Sequence, residues 1–250
     1  MAVVLKSAAE IEKMRKAGRA TREVLELVRS LVKPGVTTLE LDQAAEARTK
    51  ELGGIPAFKN YHGYPAVLCA SVNSEVVHGI PSKKRVLKDG DIVSVDFGAF
   101  IEGFCGDSAI TIPVGNVSAE TAKLLEVTEK SLYAAVDVVK PGATLGDVGW
   151  AVQKVVEAAG FSVVRDFVGH GIGTAMHEDP QVPNYGTAGR GMKLKAGMVI
   201  AIEPMVNAGK PDVVVLRDGW TAVTEDGSMS AHFEHTVAVT ATGARIMTEL

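Results

Sequence analysis

Five residues spread along this sequence, Asp96, Asp107, His170, Glu203 and Glu234, are of the types that bind divalent ions. Two of the acids share one stretch, DIVSVDFGAFIEGFCGD at residues 91–107. Residues 92–97 are largely β-branched and apolar, Phe104-Cys105 leads into Asp107, and a reversal fits at Ile101-Glu102-Gly103. Folded as a hairpin, this stretch brings Asp96 and Asp107 side by side. Facing carboxylates in a half-buried sheet repel each other, and persist only if one takes up a proton or a cation sits between them. An isolated pair of this kind reads as solvated strand-end acids, but further residues of the same chemistry follow. GHGIG at 169–173 sets His170 between small residues that leave its ring accessible, and Glu203 ends the strand-like VIAI just before Pro204. AHFEHT at 231–236 opens the last strand, and alternation puts His232 and Glu234 on one face with His235 on the other.

Four carboxylates and one imidazole do not suit structural zinc, which favours thiolates and imidazoles. They fit manganese, iron(II) or cobalt. Four acids exceed what one ion needs, so two ions sharing bridging carboxylates are expected. Paired ions activate a water and polarise a carbonyl or phosphoryl oxygen.

The elements that must carry these residues recur. Ser7-Ala8-Ala9-Glu10 is a capping box that opens a long helix with Ile11, Met14, Gly18, Leu25, Val28 and Val32 on one face. Pro34-Gly35 predicts its stop at Lys33. Thr37-Thr38-Leu39-Glu40 starts a second helix that Gly53-Gly54 ends, and strands are expected at 67–72 and 76–78 before the hairpin. The order then repeats. A helix from about Ala119 ends at Lys140-Pro141-Gly142, Thr144 to Asp147 caps another that stops at Gly160, and strands are expected at 162–164, 198–202, 213–216 and 235–240. Lys33-Pro34-Gly35 and Lys140-Pro141-Gly142 lie 107 positions apart, as do Leu87 and Leu194, and the same offset lays Asp96 on Glu203. His78-Gly79-Ile80 and His170-Gly171-Ile172 lie 92 apart, so loop lengths differ in between. One domain over residues 1–250 is expected, with pseudo-equivalent αβ halves at about 7–115 and 118–245 and a site at their seam.

Composition sets the class. With 250 residues and 46% hydrophobic content the chain can bury a large core. A net charge of −4 with scattered basic residues gives no nucleic-acid groove. Two cysteines, Cys69 and Cys105, make no disulfide scaffold and point to the cytoplasm. Neither a leader-type apolar region at the N-terminus nor an apolar run of membrane-spanning length is found.

Taken together, YHGY at 61–64, SVN at 71–73, VHGIP at 77–81, GDIVSVD at 90–96, GHGIG at 169–173, His177-Glu178, IEPM at 202–205 and EHT at 234–236 resemble the type I methionine aminopeptidases of the pita-bread metallopeptidases. The likeness runs from about Ser7 to Leu250. It implies an α+β pita-bread fold of two pseudo-symmetric halves, with antiparallel sheets covered by helices and a dinuclear metal site at the seam. It implies removal of N-terminal methionine from nascent proteins and peptides ahead of a small second residue, through a water bridging two divalent ions (Mn, Fe(II), Co or Zn). Asp96, Asp107, His170, Glu203 and Glu234 would hold the ions, and one ion would receive the substrate's free α-amine. Glu203 would also accept the proton of the attacking water. His177 would steady the scissile carbonyl, and His78 would contact the amide nitrogen of the leaving peptide. The methionine pocket maps onto Phe58, Tyr61, Tyr64, Cys69, Met176 and Trp220. Asn73 and Ser230 match positions that hold Na+ or K+ in some relatives. A cytoplasmic monomer is implied, acting on nascent chains, with ribosome contact left open.

Other members of the fold are set aside on length and ligands. Xaa-Pro aminopeptidases and prolidases usually carry an additional N-terminal domain, whereas six residues precede Ser7 here. Type II methionine aminopeptidases insert a helical segment between His177 and Glu203, and 26 positions leave no room for it. Non-enzymatic members lose metal ligands, and all five stand here.

Overall fold

The computed structural model describes residues 3–250. Two helices open the chain, α1 (Ala8–Leu31) and α2 (Thr38–Glu51), each closed at its N-terminus by a reciprocal capping box, Ser7 with Glu10 and Thr37 with Glu40. Helix α1 ends earlier than Pro34 alone predicts, because Val32 is already extended. Then come β1 (Ile55–Pro56), β2 (Cys69–Val72), β3 (Glu75–Val77), β4 (Ile92–Ile101) and β5 (Phe104–Pro113). Helices α3 (Ala119–Val138) and α4 (Leu145–Ala158) follow, capped by Ser118 and Thr144. The remainder is strand: β6 (Ser162–Val163), β7 (Gly169–Gly171), β8 (Glu178–Val182), β9 (Val199–Ile202), β10 (Met205–Asn207), β11 (Val213–Val215), β12 (Ala222–Thr224), β13 (Ser230–His232), β14 (His235–Thr240) and β15 (Gly243–Ile246).

Element bounds repeat the 107-position offset of the sequence. Adding it to α2 gives the start and end of α4, β1 falls on β6, and the first residue of β4 falls on the first residue of β9. The isolated bridges Thr37 to Val86 and Thr144 to Lys193 correspond in the same way.

Every pairing among the described strands is antiparallel, and the strands form four sheets. One is built around the long β4, with β5 on one edge and β1 and β2 on the other. A five-stranded sheet runs β15-β14-β9-β7-β8. Two smaller sheets, β13-β10-β6 and β11-β12-β3, fill the space between.

Helix α1 lies on the β4–β5 hairpin and buries Met14, Ala17, Gly18, Thr21, Val24, Leu25 and Val28. Its approach is set by glycine. A Cβ on Gly106 would stand 2.6 Å from the Gly18 nitrogen, and one on Gly18 would stand 2.3 Å from the Met247 carbonyl oxygen. The main core joins α1, α2, α3 and α4 to the sheets, with Phe97, Leu25, Leu41, Leu124, Leu132, Leu194 and Met198 all fully buried.

The hairpin differs from the sequence expectation in length and register. Its strands run ten residues each, so Asp96 and Asp107 lie within strands rather than at their ends. Glu102 and Gly103, both at positive φ, form a two-residue turn that pairs Ile101 with Phe104. That register sets Asp107 opposite Gly98 and Asp96 opposite Ala109, so the two acids share a face as diagonal neighbours. The expected last strand also divides: β13 pairs with β10 and β14 with β9, and Phe233-Glu234 crosses between two sheets.

Candidate functional site

The two large sheets meet along β5 and residues 232–236, joined through side chains instead of a strand ladder. Ser108 Oγ donates to the Glu234 carbonyl at 2.6 Å, and Thr236 Oγ1 donates to that of Asp107 at 2.7 Å. Thr111 Oγ1 donates to the His232 carbonyl at 2.8 Å and accepts from the His232 N–H at 2.9 Å. The Glu234 N–H donates to the Ala109 carbonyl at 2.9 Å. These bonds hold Glu234 against the face that carries Asp96 and Asp107. Gly98 makes room there, since a Cβ would stand 3.1 Å from both Asp107 Oδ1 and the Phe58 ring.

From the second large sheet come His170, in the middle of β7, and Glu203, one residue past β9. His170 Nδ1 bonds the Gly171 carbonyl at 2.9 Å, which places the proton on Nδ1 and leaves the Nε2 lone pair free. That Nε2 stands 3.5 Å from Glu203 Oε1 and 4.0 Å from Asp107 Oδ2. Ligating atoms of Asp107, His170 and Glu234 all lie within 4.8 Å of one another. Asp96 Oδ1, Asp107 Oδ1 and Glu234 Oε1 are buried without a hydrogen-bond partner among the described residues.

Charge follows from this burial. Desolvation first, and then the neighbouring carboxylates, holds the carboxyls of Asp96, Glu203 and Glu234 well above their ordinary range. Asp107 is raised to about 7 by burial, against the opposing hydrogen bond from the Ser108 backbone. Burial, reinforced by His177, pushes His170 down to about 3, so its ring is neutral. Orphaned carboxylate oxygens, an imidazole lone pair and mutual repulsion make a donor set that fits divalent cations.

One cavity opens on this cluster. It is lined by all five residues, by His78 and His177, and by Phe58, Tyr61, Tyr64, Cys69, Met176 and Trp220. The structure therefore brings together every residue singled out above except Asn73 and Ser230. Those two meet elsewhere, where the Ser230 N–H donates to the Asn73 carbonyl at 2.8 Å. Asn73 Oδ1 accepts from Ile92, its Nδ2 donates to Asp91, and Ser230 Oγ donates to Asn207, so their side chains are satisfied without a cation.

The aromatic wall is ordered by contacts within it. Tyr64 meets Trp220 edge-on at 5.1 Å and donates its hydroxyl to the carbonyls of Leu68 and Gly79. His78, at φ 60°, lies edge-on to Phe167 and Trp220. Burial, with His177 nearby, takes its pKa down to about 4. At the exposed mouth, Tyr61 Oη is 2.7 Å from His177 Nδ1, and the His170 and His177 rings meet at 4.1 Å. The loop bearing Met176 and His177 is closed by Glu178, which accepts from the Ala175 N–H and pairs with the buried Lys6. The pairing of Lys6 with Glu178 was not reached from sequence, where nothing joins residues that far apart.

His232 and Asn184 also belong to the surroundings of Glu203. Asn184 Nδ2 donates to the Glu203 carbonyl at 3.0 Å, and His232 Nε2 lies 3.9 Å from Glu203 Oε2. Alternation along 231–236 had put His232 on the Glu234 face, which is the signal that could have added it to the site. His235 turns away to Thr248 and Tyr133.

Among the described residues no helix is long and apolar enough to cross a membrane. Residues 12–241 match the model of metallopeptidase family M24. Methionine aminopeptidase 1 of Bacillus subtilis is 53% identical over 248 residues, covering 99% of this chain and 100% of that one. The crystal structure of a methionine aminopeptidase from Thermotoga maritima superposes with a TM-score of 0.98 at 50% identity over the full length of both chains. The prolidase of Pyrococcus horikoshii shares the fold at TM-score 0.79 and 24% identity, and this chain covers 63% of its length. The α+β pita-bread architecture expected from the sequence is thus the observed one, and the chain belongs to metallopeptidase family M24.

Proposed function

We propose that this protein is a methionine aminopeptidase that removes the first residue of nascent proteins and peptides, preferring a small second residue. The observation that carries this reading is one cavity with two chemistries. Its floor is four acids and an imidazole, and its wall is Phe58, Tyr64, Cys69, Met176 and Trp220. An unbranched thioether side chain fits such a polarisable wall. Relatives about half identical along their whole length carry the same activity in their names.

Asp96, Asp107, His170, Glu203 and Glu234 would hold two divalent ions, drawn from Mn, Fe(II), Co and Zn. When bound, these ions supply Lewis acidity toward the scissile carbonyl and acidify a water beside it. Glu203 receives the proton of the attacking water on a side-chain oxygen. Burial first, and then Asp96 and Asp107, raise this carboxyl above its ordinary range, in keeping with a group that takes up a proton. Tyr61 Oη, whose own pKa burial raises, lies 2.7 Å from His177 Nδ1, and as the donor there it would select the Nε2–H tautomer. His177 thus presents a donor to the carbonyl oxygen where negative charge develops. His78, neutral and half-buried, faces the amide nitrogen of the leaving peptide. The ion-holding floor would receive the free α-amine, which confines cleavage to the first peptide bond.

Two buried free thiols fit a reducing cytoplasm, and a monomer that meets nascent chains fits the open cavity mouth. The deciding experiment measures metal content of protein purified without added metal, beside methionine release from a Met-Ala peptide with each ion. Release of methionine only with metal supports the reading. Cleavage of Xaa-Pro peptides in its place, or metal-independent turnover, overturns it.

A further inference from the structure

His232 has no part in the chemistry above, yet its ring is one of the least accommodated polar groups in the molecule. It is buried, and among the described residues neither Nδ1 nor Nε2 has a hydrogen-bond partner. Such groups in native proteins normally serve a purpose, since leaving both nitrogens unmatched costs stability. The backbone leaves the ring little choice of direction. The N–H and carbonyl of His232 are both tied to Thr111 Oγ1, and β13 sets His232 opposite Met205. Pro204 separates Met205 from Glu203, so the ring lies beside the Glu203 carboxylate.

Glu203 consequently sits between two imidazoles, one for each oxygen. His170 Nε2 stands 3.5 Å from Oε1 and His232 Nε2 stands 3.9 Å from Oε2. The two rings differ in their other nitrogen. His170 Nδ1 is committed to the Gly171 carbonyl, which keeps its Nε2 a lone pair, whereas nothing holds the proton of His232 on Nδ1. A gap of 3.9 Å is too short to seat a water, since two hydrogen bonds meeting at one water span more than about 4 Å. It exceeds a direct hydrogen bond by about 1 Å, a distance that side-chain rotation covers. His232 also lies outside the cavity lining.

We propose that His232 is a positioning residue for Glu203: its Nε2–H donates to Oε2 and so turns Oε1 toward the attacking water. This rests on the reading of Glu203 as proton acceptor. Losing a hydrogen bond to a charged acceptor corresponds to roughly 10- to 100-fold in rate when the bond matters in the transition state.

Two variants and one spectrum test it. In His232→Leu, kcat on a Met-Ala peptide should fall roughly 10- to 100-fold, with KM within about threefold and the number of Mn2+ ions bound, measured by calorimetry, unchanged. His232→Gln, which keeps an N–H donor, should recover most of the rate. Long-range 1H–15N spectra of histidine-labelled wild type loaded with diamagnetic Zn2+ should show His232 protonated on Nε2, with the signal assigned by its loss in His232→Gln. This readout needs neither activity nor folding of the leucine variant. A proton on Nδ1, a leucine variant as fast as wild type, or loss of one bound ion in that variant would each overturn the proposal. If metal-loaded wild type itself releases no methionine, the aminopeptidase reading has failed, which an active wild type with an indifferent His232 distinguishes.

Discussion

Stripping the metal should make this protein's stability depend on pH in a way that the loaded protein's does not. The origin is Asp107, whose carboxyl titrates at about 7 in the folded metal-free site against 3.8 in an open chain. Between those values the native state keeps a proton that the unfolded state has released. Stability from this group is therefore greatest at low pH and is lost as pH rises toward 7. From pH 5 to 7 the loss is about 2 kcal/mol, a little under 1.36 kcal/mol per pH unit because the group is half-titrated at pH 7. Asp96, Glu203 and Glu234 are shifted the same way and add to it. Buried histidines act in the opposite sense. His78, His232 and His235 have pKa values lowered to about 4, 3 and 4, so they add stability as pH rises toward 6.5. That contribution is common to both forms and cancels in their difference. The measured quantity is thus the gap between metal-loaded and chelated protein by calorimetric melting from pH 5 to 8, with metal content checked at each point. At saturating metal the gap should be about 4 kcal/mol at a thousand times Kd. It should widen by about 2.5 kcal/mol across the window, roughly 5–10 °C in Tm for a chain of this size. Metal binding should also release protons, seen as buffer-dependent heats. Chelated protein that melts with the loaded form at every pH, or a gap that stays constant, would mean these carboxylates do not share one desolvated cavity.

Four further outcomes are expected. His177→Ala should lower kcat by roughly 10²-fold with both ions retained, while His170→Ala should lose metal affinity; the reverse pattern in a metal titration exchanges the two roles. Met-Gly and Met-Ala peptides should be cleaved far faster than Met-Lys and Met-Leu, and equal turnover of all four would remove the small-residue preference. Cys69→Ser and Cys105→Ser should stay active, because burial raises both thiols above their ordinary range and neither is a nucleophile; inactivity of a folded, metal-loaded Cys69→Ser would instead indicate a cysteine mechanism. Gly106→Ala should destabilise by about 1–3 kcal/mol by forcing α1 off the hairpin, and an unchanged Tm would contradict that packing.

Local signals in the sequence were strong where one residue type does one job. Ser7, Thr37 and Thr144 cap three helices in the manner their spacing predicts, and the 107-position offset recurs in the bounds of α2 and α4. The short strands were legible only in part. β3, β6 and β11 fall where strands were expected, whereas the two-residue β1 has no periodicity to read and β8 carries Glu178, Asp179 and Pro180 in five residues. Hairpin register escaped for a related reason. Glu102-Gly103 is not the Asn-Gly or Asp-Gly pair that announces a two-residue turn, and only that turn makes Asp96 and Asp107 diagonal instead of opposite.

At the site, residue types identified which groups belong together but not what forces them there. The sequence suggested acids at strand ends, where water would solvate them. Asp107 instead lies in mid-strand, and Ser108, Thr111 and Thr236 bond across the seam to the backbone of the opposing sheet. A seam closed in this way is polar along its backbone and buries oxygens of the acids held between the sheets. Unpaired oxygens of Asp96, Asp107 and Glu234 are the consequence. Burying carboxylates without counter-charge is costly. The seam therefore favours a cation among these acids before any ligand geometry is considered. The same closure buries His232 beside Glu203, where a single N–H is worth more than it would be in water.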